Sequence, residues 1–158
     1  MRTRFFLVPV LLGCLSVSAC ARADGPAAEN DIREAAFRYQ FAHNISSLQN
    51  HAAFYFLEIG PKFTDPSEEF LKRFKDFKPV VKKASESRCD ENSQIIDKTT
   101  GKLGLIFYTN DIKWLSPSKA QIDAGYAEAN LSAGSNTYIM EKKGDQWVVS
   151  EDIKGPVA

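Results

Sequence analysis

Three observations predict an α+β fold. Apolar residues recur at helical spacing only in the first half of the chain, over 31–43 and again over 68–77. A short aromatic run, Ala52–Ile59, stands between those segments. From Gly101 onward, alternating stretches are separated by turn residues. Helices first and a run of short-turned strands afterwards imply a long N-terminal helix and a second short helix packed on a curved antiparallel β-meander.

The elements follow in order. Asp31-Ile32-Arg33-Glu34 reads as a capping box with Asp in the cap role. Ile32, Ala35, Ala36 and Tyr39 form one apolar line and Phe37 and Phe41 a second, as on a helix lying across a sheet. The helix is expected to end near His43-Asn44, with Asn44 in the left-handed closing position. Ala52–Ile59 is short and aromatic, the pattern of a buried strand, and Gly60-Pro61 ends it. Asp65-Pro66-Ser67-Glu68 opens the second helix with Asp65 as cap. Phe70, Phe74 and Phe77 share its inner face, Pro79 stops it, and Val80-Val81 begins a short strand. The meander then runs Leu103–Trp114 with a bulge at Asn110-Asp111, Lys119–Leu131, Thr137–Lys142 and Gln146–Ile153, with turns at Ser116-Pro117-Ser118, Ser132–Asn136 and Lys143-Gly144-Asp145. Trp114 and Trp147 are expected in the core beneath the helix.

Residues 1–24 differ from the rest. Arg2 and Arg4 precede an apolar run, Phe5 to Val17, that is shorter than the roughly 20 residues of a membrane span. Val17-Ser18-Ala19-Cys20 resembles the lipobox of bacterial lipoproteins, which implies lipidation of Cys20 and attachment to the membrane through the N-terminal lipid. Cleavage before Cys14, or after Ala21-Arg22-Ala23 to release a chain starting at Asp24, are rival readings. The division is a signal peptide (1–19), a tether (20–30) and a single α+β domain (31–158). In lipoproteins an Asp after the cysteine favours the inner membrane; Ala21 here favours an outer-membrane lipoprotein facing the periplasm, with a soluble periplasmic or secreted form as the alternative.

Composition narrows the function. Lys plus Arg and Asp plus Glu both number 20, so no strong field calls for nucleic acid. Cys89 is the one cysteine beyond the leader, which leaves no intramolecular disulfide. His43 and His51 stand eight residues apart, too far for a helical metal pair, and no Gly-rich phosphate loop follows a strand. Neither a metal nor an organic cofactor is expected. Asp90-Glu91-Asn92-Ser93-Gln94 starts like a calcium loop but has Ile95 where the turning Gly is needed. Asp97-Lys98-Thr99-Thr100-Gly101 reads as a polar turn between strands. Lys72, Arg73, Lys75, Lys78, Lys82 and Lys83 form a basic cluster that reads as the wet side of an amphipathic helix.

The order of a long helix, a short helix and a meander, with Tyr138, Gly144, Trp147 and Val149 in the last hairpin, resembles the NTF2-like, more loosely cystatin-like, group over 31–153. The resemblance implies a cone between helix and sheet that some members use for chemistry and others for binding. The Gln-x-Val-x-Gly loop of inhibitory cystatins is not matched by Gln94-Ile95-Ile96-Asp97-Lys98. Between the first helix and the concave sheet face, Tyr39, His43, Tyr55, Tyr108 and Tyr126 are the candidate ligand-binding residues. Asp123 is the best isolated acid, but it alternates away from Tyr126 and so points to water. The leading reading is a non-catalytic envelope module for an unknown small ligand or an envelope protein. A small cofactor-free isomerase or dehydratase-like enzyme, and an inhibitor or immunity protein of an envelope enzyme, are the alternatives.

Overall fold

The computed structural model describes residues 25–44, 46–129 and 132–157. Cys20, the rival cleavage points at Cys14 and Asp24, and the first part of the tether lie outside the described residues. No helix among the described residues is long and apolar enough to cross a membrane.

The first helix, α1 (Pro26–His43), starts earlier than its Asp31 signal suggests. Gly25 is the cap and Pro26 takes the first helical position, where its missing N–H costs nothing. Residues 26–30 of the expected tether are therefore helical. Asp31 instead accepts a hydrogen bond from Arg73 Nη1 at 2.7 Å. The helix ends at the expected place, but Asn44 is extended (φ −68°, ψ 153°) rather than left-handed.

After a 3-10 turn at Gln49–His51, β1 (Phe54–Ile59) is buried on both faces: Tyr55 and Leu57 on one, Phe56 on the other. Such a two-sided apolar run suits a strand between parallel neighbours. β1 indeed pairs in parallel with β2 (Val80–Lys83) and with β5 (Gly104–Ser116). The sheet is thus mixed, with order β2-β1-β5-β6-β7-β8, and the expected all-antiparallel meander covers only β5 onward. A long crossover permits the parallel β1–β2 pair; it contains α2 (Glu68–Leu71) and a 3-10 turn, Lys72–Phe74. Ser67, not Asp65, caps α2: its Oγ accepts from Phe70 N at 3.1 Å, while Asp65 accepts from Ser85 N.

A small antiparallel hairpin, β3 (Ser87–Cys89) with β4 (Ile95–Asp97), forms a separate sheet. With a 3-10 turn at Ala84–Glu86 it covers Phe56 on the outer face. The Asp97–Gly101 segment is the expected turn, with Gly101 at φ +69°. Asp97 is its centre: one carboxylate oxygen accepts from Thr100 N and Oγ1 and the other from Lys82 Nζ, all within 2.7–2.8 Å. The Lys82 ammonium first, and Thr100 with it, hold this carboxyl down at about 2.

The meander follows. β5 and β6 (Lys119–Ala129) shift register between Thr109 and Ile112, so the bulge falls on Asn110-Asp111 as expected. β7 (Ser132–Lys143) begins five residues earlier than its Thr137 pattern suggests, and Ser132–Asn136 belongs to the strand. β8 (Gln146–Val157) is an edge strand, and Gly144 (φ +61°) makes the tight turn before it.

α1 lies on the inner face and divides the core. Its first half covers Ile122, Tyr138, Met140 and Trp147; its second half, with α2, covers Leu57, Leu105 and Phe107. Phe41 is the hub of the aromatic half, with ring centroids of Tyr55, Phe77 and Phe107 at 4.8–5.0 Å. Trp147 is buried, whereas Trp114 is only partly so, because it sits near the outer end of β5. The basic cluster is largely ion-paired: Lys72 with Glu69, Arg73 with Asp31 and Glu34, Lys83 with Glu68. The cluster is not one helix face as expected: Lys72 and Arg73 sit in the 3-10 turn, Lys75 and Lys78 in the turn and bend after it, and Lys82 and Lys83 on β2.

Candidate functional site

The buried line of α1 contains two polar residues, Arg33 and Gln40, among Ile32, Ala36, Phe37 and Phe41. Each meets the sheet at an irregularity. Arg33 Nη1 donates to Asn110 O at 2.7 Å and to Thr109 Oγ1 at 3.1 Å, so it closes the carbonyls left open by the β5 bulge. Burial pushes its guanidinium pKa down, against the pull of Glu29 and Asp111.

Gln40 is only 2% exposed. Its Nε2 donates to Gly125 O at 2.8 Å, which fixes the amide, since a flipped amide would set Oε1 against that carbonyl. Oε1 is left buried without a partner. One turn later, Asn44 Oδ1 accepts from Ser46 N at 2.8 Å, and Asn44 Nδ2 is likewise buried and unpartnered. Buried polar groups without partners are rare and costly, at about 1–3 kcal/mol each.

Both side chains line a cavity of about 210 Å³ between the C-terminal end of α1 and the inner face of β6, β7 and β8. Two glycines of its strands allow close approaches. A Cβ on Gly125 would lie 2.3 Å from Gly134 O, and one on Gly134 would lie 2.7 Å from the Tyr126 ring. The bare Gly134 backbone lets the Tyr126 ring lie across the β6–β7 pair, whereas a Cβ on Gly125 would meet the Tyr108 ring on the outer face. Tyr138, Val157 and His43 supply more of the wall, and Asn136 and Lys154 its polar side.

Among the described residues, no Asp or Glu lines this cavity. The adjacent Asp152 is already engaged: Asn136 Nδ2 donates to it at 2.7 Å, Tyr39 Oη at 3.3 Å, and Lys154 Nζ pairs with it. Burial first, then Asp152, raises the pKa of Tyr138 and of Tyr39; Tyr39 Oη donates to Asp152, whereas Tyr138 Oη accepts from Asn136 Nδ2 at 3.4 Å. Tyr126 is raised by burial and by Glu128.

Of the five candidate residues, three gather here. His43 and Tyr126 line the cavity. Tyr39 stands beside it, stacked on His43 at 4.0 Å and edge-on to Tyr138 at 5.2 Å. Tyr55 does not join them: it is 3% exposed and packed in the aromatic core. Tyr108 does not either, because it alternates with Phe107 onto the outer face, where it meets Phe63. Asp123 is exposed and accepts from Thr137 Oγ1 at 2.6 Å, in keeping with its alternation. Among the described residues, no cluster of His, Cys, Asp and Glu could hold a metal ion.

A larger hollow, about 640 Å³, lies between Asp31–Tyr39 of α1 and Asp145–Val149 of β8. It is an open groove. Asp31, Glu34 and Arg38 on its rim are paired with one another or with Arg73, and it contains none of the unpartnered buried atoms. The smaller cavity is therefore the better candidate. No family model matches the chain, and neither does any curated protein or solved structure.

Proposed function

We propose that this chain is a non-catalytic binding module of the bacterial envelope that takes a small ligand in the cavity at the end of α1. One observation carries the reading: a cavity of about 210 Å³ lies between the end of α1 and the inner sheet face, with Tyr126 and Tyr138 on its apolar wall and Asn136 and Lys154 on its polar side. The volume, below the roughly 300–1,000 Å³ of drug-sized sites, suits a small molecule or one end of a larger one.

Proton abstraction next to a carbonyl needs a base that faces the substrate. Among the described residues the lining holds no Asp or Glu, and Asp152 beside it carries three donors, which favours binding over an isomerase role. The finer fold assignment, an NTF2-like cone, belongs to the same proposal and is supported by the position of the cavity between helix and inner sheet face. Export and anchoring through Cys20 rest on the leader alone. A ligand-detected NMR screen of small neutral fragments tests the binding reading: hits should perturb Tyr126, Asn136 and Asn44 together. A folded protein with no hit at these positions would refute it.

A further inference from the structure

We propose that the edge of β8 over Gln146–Val149, with the flank of α1 beside it, docks an extended basic segment of a partner protein as an added strand. β8 ends the order of the six-stranded sheet, so one row of its backbone groups has no strand to pair with. The register says which groups these are. Gly144-Asp145 is a two-residue loop, so Lys143 and Gln146 form the hydrogen-bonded pair that closes the hairpin. Pairs then alternate, and Trp147 opposite Lys142 and Val149 opposite Met140 are the non-hydrogen-bonded ones. Their N–H and C=O groups therefore point away from β7, and both residues line the open groove of about 640 Å³. Among the described residues, no backbone beyond the β7 ladder bonds to either.

The opposite wall is one stripe of α1. Asp31, Glu34, Ala35, Arg38 and Tyr39 follow at steps of three, one, three and one, beside the buried line rather than on it. Ala35 and Tyr39 are its apolar, partly buried centre. An edge strand beside a helix offers backbone pairing on one side and side-chain contacts on the other, which suits an extended peptide. Four residues span about 13 Å at about 3.3 Å each, so the site reads a short segment. The rim sets its charge. Arg38 and Arg73 pair with Glu34 and Asp31, while Asp145 has no ion pair among the described residues, so acids outnumber arginines and a segment carrying lysine or arginine is favoured. A second copy fits less well. Isologous pairing would bring the same acidic rim from both sides. β8 also shifts register twice past Val149, and Pro156 has no N–H, so a long edge-to-edge pairing is blocked. The groove shares no lining residue with the cavity at the end of α1, so the two sites stand or fall separately.

The test is backbone amide exchange and NMR titration of the full chain with a capped hexapeptide of alternating valine and lysine. The controls are the same peptide N-methylated at every residue and a version with glutamate for lysine. Without peptide, the amides of Trp147 and Val149 should exchange much faster than that of Val148, which bonds to β7. With peptide, both should shift saturably and slow about tenfold or more. The N-methylated peptide has no N–H to donate to β8 and should bind about tenfold or more weakly, and the glutamate version should also bind less well. Asp145→Lys, in an exposed turn, should narrow the preference for lysine with an unchanged circular dichroism spectrum. Shifts without slowed exchange at these two amides, or equal binding of the N-methylated peptide, would overturn strand addition. Equal binding of the glutamate peptide would overturn the basic partner. Protection that rises with protein concentration before any peptide is added would assign the edge to a second copy instead. No response to any peptide would also overturn the proposal.

Discussion

Replacing Trp147 by alanine tests how the last strand meets the helix. Trp147 is 7% exposed, and its ring meets Trp114 edge-to-face at 5.6 Å, under Ile32 and Ala36 of α1. An indole that buries roughly 200 Å² is worth about 5 kcal/mol at 25 cal/mol per Å². Alanine keeps the Cβ contact, and Trp147 borders the open groove beside β8, so water can enter part of the vacated space. The expected loss is therefore at the lower end of the range for large-to-small core changes, about 3 kcal/mol. Against a total of about 5–15 kcal/mol for such a domain, that is a large fraction. Urea denaturation followed by far-ultraviolet circular dichroism measures it, with the slope of the transition as a check on the unfolded state. Trp147→Phe should fall between wild type and alanine. A loss below about 1 kcal/mol at unchanged slope would mean that β8 is misplaced or presents its other face.

Three further outcomes are expected. Gly125→Ala should destabilise by about 1–3 kcal/mol in the same assay, because its Cβ would meet backbone at Gly134 O as well as the Tyr108 ring; a neutral change would mean the β6–β7 pair is looser than described. Asp97 has a carboxyl pKa near 2 in the fold, against about 3.9 when unfolded, so its contribution is complete above about pH 4 and is lost as pH falls toward 2. The melting-temperature gap between wild type and Asp97→Asn should shrink across that window, and a gap independent of pH would remove the Lys82–Asp97 pair as its cause. Mass spectrometry of the mature N-terminus should find an acylated Cys20, and Cys20→Ala should release the protein from the membrane fraction; a free amine at Asp24 would contradict the lipobox reading.

The parts of the fold that were legible in sequence are those fixed by local chemistry. The Asn110-Asp111 bulge, the Gly144 turn and the apolar run of β1 each follow from residues within a few positions. The misread parts depend on distant partners. Asp31 and Asp65 carry strong cap signals, yet Arg73 and the backbone of Ser85 claim them, while Gly25 and Ser67 do the capping. Nothing near Phe54–Ile59 says that both neighbours run parallel to it; the two buried faces do, and they are a property of the sheet. Ser132–Asn136 has turn composition, but pairing with β6 and β8 makes it strand.

The site divides along the same line. Tyr39, His43 and Tyr126 were reachable because helix and strand periodicity place them on the inner face. Tyr108 fails on alternation alone: with Leu105 and Phe107 inward, residue 108 points outward, and that was readable once the strand was drawn. Gln40 was missed for a different reason. The helix was read through its apolar residues, and a glutamine between Tyr39 and Phe41 drops out of that count. Yet Arg33, Phe37, Gln40 and Asn44 recur at steps of four, three and four, which is the core stripe itself. A polar residue on such a stripe must find partners in the sheet or leave an atom unanswered. Arg33 uses the carbonyls of the bulge, whereas Gln40 satisfies only its nitrogen. That difference separates a polar residue that closes the fold from one that stays half-satisfied beside the cavity. It arises from the backbone geometry of strands some seventy to eighty-five residues away along the chain, so it becomes visible only when the helix is laid on the sheet.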